Sequence, residues 1–441
     1  MTITKFEKSD MLCKRAQEVI PGGAHTYTKG ADQSPKLGPK FIDYGKGSHV
    51  WDVDGNEYVD WAMGLTAVSL GHAYEPIINA VNRELLRGVN FQCPSPIEVE
   101  LAELFLQEVP SAEMVKFAKN GSTVTTAAVK LARAYTGKNH VAFCSDHGFF
   151  SYDDWYISKK PNNSGIPEGI DKLSLTFKYN DISSVEKIFD QYPNQIACVI
   201  LEPMEFDFPE DNFLCKVKEL CRKNGTVFIL DEMITGFRLG YPGAHKMLNV
   251  DADLTTWGKG IANGFSCCLL AGKKEIMELG GINHNKKRVF LISTTHGAET
   301  HALRAAIETI KITKQENSVA RNKEMGTKII NEMKKLIEAN GLNDHVEIKG
   351  HPCWPLMLFK DENKNLSDGY KTLLYQEMIK RGILFRGTFV STISHDVLDL
   401  EKTLDAFSGS FDIYKKALND KNGYKSFLVG DPVKPVFREW N

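Results

Sequence analysis

Two hydrophobic rhythms alternate along this chain. Between residues 9 and 20, Leu12, Ala16, Val19 and Ile20 recur at helical spacing until Pro21-Gly22-Gly23 interrupts the run. Residues 50–61 change rhythm: two β-rich runs flank Asp54-Gly55, whose turn chemistry predicts a hairpin. Amphipathic helices are predicted over 76–86 and 96–108. Beyond them, short apolar runs at 115–118, 141–144, 197–201 and 227–230 are separated by helical segments. Such runs belong to strands buried on both faces, so they predict a mostly parallel sheet with helices on either side. Residues 159–169, with Pro161, Asn162, Asn163, Ser164 and Gly165, read as a surface loop. After Ala305 a helix leads into a charged stretch over 311–335, and a later helix, strand and helix predict a smaller α+β domain. The expected division of this α/β chain is an N-terminal helix and hairpin over 1–65, a large domain over 66–326 and a small domain over 327–441.

Composition works mainly by exclusion. The chain has 441 residues, 42% hydrophobic and 25% charged, a balance suited to a globular protein long enough for two cores. Its formal net charge of −2 leaves no basic footprint for nucleic acid or an anionic membrane. No apolar run approaches the roughly 18 residues of a membrane span, and the first residues lack the apolar core of a signal peptide. Nine cysteines without CxxC spacing predict a reduced, cytoplasmic chain with neither a disulfide framework nor a metal centre.

Candidate chemistry concentrates in residues 227–259. The apolar run Val227-Phe228-Ile229-Leu230 ends on Asp231, and open α/β sheets bind ligands at such carboxyl ends. Lys259 follows after room for a crossover back to the same sheet edge. An acid and a lysine so placed suit pyridoxal 5'-phosphate (PLP), the lysine forming the Schiff base and the acid facing the ring nitrogen. Opposite charges ~4 Å apart at an effective dielectric of ~20 attract by ~4 kcal/mol, or ~3 pK units, enough to keep the ring protonated. A second signal is Lys119-Asn120-Gly121-Ser122-Thr123, between an apolar run and a helix that Gly137 stops. Gly121 allows close backbone approach, and hydroxyls of the first turn cap free N–H groups. A helix start of this kind suits a cofactor phosphate.

The ordered set of Gly121-Ser122, Asp146-His147-Gly148, Glu202-Pro203, Asp231-Glu232-Met233-Ile234-Thr235-Gly236-Phe237-Arg238 and Gly258-Lys259 resembles class III PLP-dependent aminotransferases. Within them it is most similar to the glutamate-1-semialdehyde aminomutase branch, from Arg15 until the likeness fades after about Gly350. The resemblance implies a PLP-dependent transferase of fold type I and a homodimer with shared active sites. It implies that Lys259 is the Schiff-base lysine and moves the proton, and that Asp231 pairs with the pyridine nitrogen. Gly121 and Ser122 would hold the phosphate with Thr295 contributed across the dimer, Met233 would pack on one ring face, and Glu202 and His147 would face the cofactor.

Departures from that pattern bear on substrate. Relatives commonly have a Tyr before the His-Gly pair to stack on the ring; this chain has Asp146, with Phe149 or Phe150 as the aromatic substitute. The aminomutase grips its substrate carboxylate with an Arg where this chain has Lys29, a point charge without the bidentate fork. Where the aminomutase carries a small-domain Glu, this chain has Arg386. Lys29 and Arg386 are therefore the candidate substrate contacts. On these grounds the expected activity is transamination from an amino-acid donor to a second carbonyl compound, and the resemblance alone implies a small carbonyl or keto-sugar as that acceptor. The alternative is an intramolecular aminomutase acting on glutamate-1-semialdehyde or a similar amino-aldehyde.

Overall fold

Asp52 organises the first hairpin. Its Oδ1 accepts from the backbone of Asp54 at 3.0 Å and of Asn56 at 2.8 Å, while Oδ2 takes the Tyr58 hydroxyl at 2.8 Å. Around this turn, where Gly55 has φ 87°, run the antiparallel strands β1 (Ile42–Lys46), β2 (His49–Asp52) and β3 (Glu57–Asp60). The computed structural model describes residues 2–440. They divide into two units, one taking the chain through Leu65 with Leu70–Tyr74 and Ala320–Arg438, the other Thr66–Ser69 with Glu75–Val319. The chain passes back into the first unit at 319/320, near the start of the helix Ser318–Ala339.

The larger unit is built on β4 (Met114–Ala118), β5 (His140–Cys144), β6 (Ser174–Phe177), β7 (Ile196–Leu201), β8 (Val227–Asp231), β9 (Leu254–Trp257) and β10 (Cys268–Gly272). These seven form one sheet in the order β4-β10-β9-β8-β7-β5-β6, parallel throughout except that β10 runs against both neighbours. Every residue of β7 and β8 is buried, as continuous apolar runs require. The pattern reading does not single out β9, because two of its four residues are threonines. Both are buried, and their hydroxyls are used inside the fold: Thr255 accepts from Trp257 Nε1 and Thr256 donates to Asp231.

The helix Gly121–Thr136 ends on Gly137 at φ 69°, the left-handed stop that a glycine takes at low cost. The helix Pro96–Glu108 opens with a capping box between Ser95 and Glu98. In the smaller unit, β11 (Val346–Lys349) and β12 (Leu356–Phe359) pair antiparallel, and β13 (Ile383–Leu384) joins β3 in parallel. Its core gathers Trp61, Phe385, Phe389, Phe407 and Phe411. Among the described residues no helix is long and apolar enough to cross a membrane.

Candidate active site

Asp231 closes β8 and is 2% exposed. Its Oδ1 accepts from Met233 N at 3.0 Å and from Thr256 Oγ1 at 2.8 Å. Both bonds use the same oxygen, which leaves Oδ2 for a ring N–H. Burial pushes the carboxyl pKa up to about 6, against the pull of the two hydrogen bonds and of Lys259.

Lys259 lies two residues beyond β9, with φ 46°. This left-handed backbone is rare for a residue bearing a Cβ, and such strain persists only where the surroundings enforce it. The preceding Gly258 is tightly enclosed, and a Cβ there would overlap Met233 Sδ and Cys268 Sγ. Burial lowers the Lys259 pKa and Arg238 repels its charged form, while Glu202, Asp231 and Glu205 favour that form. The net shift is downward, toward the neutral amine that nucleophilic and proton-transfer roles need.

Glu202 follows β7 and is 3% exposed, and its Oε2 has no hydrogen-bond partner. Burial, followed by the charges of Glu205 and Asp231, holds its carboxyl well above the usual range. Its backbone N–H donates to His147 Nδ1 at 3.0 Å. That bond puts the imidazole proton on Nε2, and burial pushes the His147 pKa down to about 4, so the ring is neutral. His147 also packs 4.9 Å from the Tyr179 ring centroid.

The helix start at Gly121 is capped by Asn120, whose side chain accepts from Thr123 N at 3.0 Å. Hydroxyls were expected in that role; Ser122 Oγ instead accepts from Tyr152 N at 3.1 Å. Met233, 9% exposed, packs beside Gly121, where a Cβ would stand 3.1 Å from its methyl carbon, as well as beside Gly258. The two candidate aromatics separate clearly. Phe150 is 2% exposed among Phe143, His147 and Tyr156, whereas Phe149 is 51% exposed. Of the two, Phe149 is the one whose ring is not buried, and it also packs edge-on against Tyr156 at 5.9 Å.

Thr295 lies on an exposed segment, its carbonyl accepting from Asn90 Nδ2 at 3.0 Å. Among the described residues no hydrogen bond joins it to Gly121 or Ser122. Lys29 and Arg386 belong to the smaller unit, where both line a cavity of about 480 Å³ with His25, Asp60 and His72. Arg386 Nη1 donates to the Thr28 carbonyl at 2.9 Å, and Asp60 is held by His72 Nε2 at 2.8 Å.

Two residues of this site went unassigned in the sequence. Arg238, 2% exposed, donates to the Ile234 and Thr66 carbonyls and sets a positive charge toward Lys259. Its signal was its place at the end of the 231–238 motif. Glu205 bonds to Gly148 N at 2.9 Å; its signal was a second acid so soon after Glu202.

The residues present fit PLP: an amine biased to neutrality, an open Asp231 oxygen, an orphaned Glu202 oxygen and a helix start where glycine permits close approach. This is the arrangement of the fold type I PLP-dependent transferases, and PLP is the cofactor. The comparison with known proteins narrows the class. Residues 31–394 match the family Aminotransferase class-III, and the chain belongs to it, related to its glutamate-1-semialdehyde aminomutase-like branch. The chain is 32% identical over 429 residues to the glutamate-1-semialdehyde 2,1-aminomutase of Persephonella marina, covering 92% of this chain and 99% of that one. It is 32% identical over 431 residues to glutamate-1-semialdehyde 2,1-aminomutase 2 of Bacillus anthracis, covering 91% and 97%. Among solved structures, the FumI protein of Sphingopyxis sp. MTA144, in a PLP form, superposes with a TM-score of 0.86 at 23% identity, covering 96% and 100%. An omega-transaminase from Sphaerobacter thermophilus gives a TM-score of 0.83 at 26% identity, covering 92% and 97%.

Proposed function

We propose that this chain is an aminomutase, relocating an amino group within one small amino-aldehyde of the size of glutamate-1-semialdehyde. The observation that carries this reading is identity of 32% over nearly the whole chain with proteins named for that reaction, around a lysine biased to neutrality. Transfer to a separate carbonyl or keto-sugar acceptor, the activity first expected from the sequence, draws less support from those relatives. It is kept as a second reading because Lys29 and Arg386 replace the aminomutase's substrate residues.

PLP supplies an electron sink that makes a proton on the adjacent substrate carbon removable. The chain does the rest. Asp231 Oδ2 would hold the protonated ring nitrogen, in a direction fixed by the Met233 and Thr256 bonds to Oδ1. Gly121 and Ser122 would hold the phosphate, with Thr295 completing it from a second copy of the chain. Met233 and Phe149 would pack against the ring, and neutral His147 would keep Glu202 aimed at the site. Lys259 Nζ would hold the cofactor's aldehyde and, once released from it, would take and return the migrating proton, a task that needs its amine uncharged. Lys29 and Arg386 are the proposed contacts for a substrate carboxylate.

Purified holoenzyme incubated with glutamate-1-semialdehyde, and no other amino compound, tests the proposal. Formation of the isomeric amino ketone, abolished by Lys259→Ala, is the expected result. Product that appears only when glutamate or alanine is added as donor would replace this reading with intermolecular transamination.

A further inference from the structure

Glu299 stands at the N-cap of the helix Thr300–Gln315, yet its side chain makes no capping bond. Its two carboxylate oxygens turn instead to two different neighbours. Oε2 accepts from Lys119 Nζ at 2.6 Å, and Oε1 accepts from His296 Nδ1 at 3.0 Å. The Lys119 hydrogen bond prevails over burial and holds the carboxyl below its usual range, so Glu299 is charged at neutral pH. The Lys119 and Glu299 side chains are 24% and 19% exposed, enclosed enough to escape part of the screening that weakens surface ion pairs.

The two neighbours belong to the two segments assigned to the cofactor phosphate. Lys119 directly precedes the Asn120 cap and the Gly121-Ser122 turn, and its carbonyl accepts from Ser266 Oγ at 2.5 Å. His296 directly follows Thr295. The 294–297 segment runs past the end of β4: a Cβ on Gly297 would stand 3.8 Å from the Phe117 carbonyl oxygen. Glu299 has a firm base, because Thr300 donates through its N–H to the Val89 carbonyl at 3.1 Å and through Oγ1 to the Gly88 carbonyl at 2.8 Å. A long lysine and an exposed loop lose conformational freedom when tied to such a base. Less freedom then remains to be lost when a phosphate binds.

We propose that Glu299 is a positioning residue for the cofactor phosphate. Through Lys119 it sets the chain's own Gly121-Ser122 turn, and through His296 it sets the Thr295 that the chain contributes to a second copy. This rests on the active-site reading above, in which those segments meet the phosphate. Glu299 acts through its neighbours and not by contact, since an acid close to a phosphate repels it.

That repulsion makes the sign of the effect decisive. Glu299→Gln takes a negative charge away from the neighbourhood of a dianion, so electrostatics alone would tighten PLP binding, whereas lost positioning weakens it. The full chain, stripped of cofactor, is titrated by fluorescence with PLP and with pyridoxal, which lacks the phosphate. Glu299→Gln should weaken PLP binding by about five- to twentyfold and leave pyridoxal within about twofold. Glu299→Asp keeps the charge but withdraws the carboxylate by one methylene, and PLP binding should weaken here too. This second variant decides the matter if the first folds poorly. PLP binding unchanged or tightened in these variants, or an equal loss for PLP and pyridoxal, would overturn the proposal. Failure of the active-site reading shows separately, as a wild-type chain that binds PLP no more tightly than pyridoxal.

Discussion

Thr256 on β9 donates its hydroxyl to Asp231, its register partner on β8, at 2.8 Å. The bond joins the two strands that carry the acid and lead to the lysine, and it fixes the plane of the Asp231 carboxylate. Asp231→Asn removes the charge that holds the cofactor ring protonated, an attraction of ~4 kcal/mol, so kcat should fall by about two to three orders of magnitude. Thr256→Val keeps the charge and loses one hydrogen bond, so steady-state assays should show a loss of about three- to tenfold.

The same acid should be a liability without its cofactor. Its pKa is raised by burial to about 6, so the folded apo protein favours the protonated form. That contribution is fully present below the unfolded carboxylate range near 3.8 and is lost as pH rises through about 6. Urea titrations at neutral pH should find apo Asp231→Asn more stable than apo wild type, by on the order of 1–3 kcal/mol. At pH 4 the gain should shrink toward zero.

Ser122 sits in the first turn of the helix Gly121–Thr136. If it contacts the cofactor phosphate, Ser122→Ala should weaken PLP binding by about tenfold while leaving saturated kcat within about twofold. Equilibrium dialysis followed by assay at saturating PLP separates the two effects.

His49 bridges Glu57 at 2.6 Å through Nδ1 and Asp399 at 2.8 Å through Nε2, all within the smaller unit. The Asp399 hydrogen bond raises the His49 pKa above 6.5, with burial opposing and Glu57 assisting. At Asp399 burial works the other way, but His49 and Ser48 prevail and lower its pKa. The tie's contribution is therefore complete between the unfolded carboxylate value near 3.8 and the unfolded histidine value near 6.5; it is lost as pH falls through the lowered Asp399 pKa and as pH rises through the raised His49 pKa. The Tm difference between wild type and His49→Gln should be largest near pH 6 and smallest near pH 9, by scanning calorimetry.

Gly258→Ala would drive a methyl into Met233 Sδ and Cys268 Sγ. Overpacking of this kind costs about 1–3 kcal/mol. Because Met233 also borders Gly121, thermal unfolding and PLP affinity should fall together in this variant.

Much of this was legible in the sequence because burial on both faces leaves a plain signature. The runs that became β7 and β8 are apolar at nearly every position, and Asp231 marks where one of them ends. What escaped was structure whose chemistry is satisfied only in three dimensions. Thr255 and Thr256 read as polar until their hydroxyl partners are known. Glu205 and Gly148 are 57 residues apart in sequence. Asn120 takes the cap that the hydroxyls beside it seemed better suited to fill. Phe149 and Phe150 are chemically equal neighbours, and only the fold turns one inward.

The smaller unit begins with the first strands made and is finished by the last. β3 waits for β13, and Trp61 Nε1 bonds Thr403 Oγ1 across 342 residues. At a synthesis rate of roughly 5–20 residues per second, the nascent hairpin spends some tens of seconds with an open edge. Over that interval it is a surface for chaperones to cover. Premature termination before the C-terminal strand would leave that edge exposed for good and make the fragment prone to aggregate.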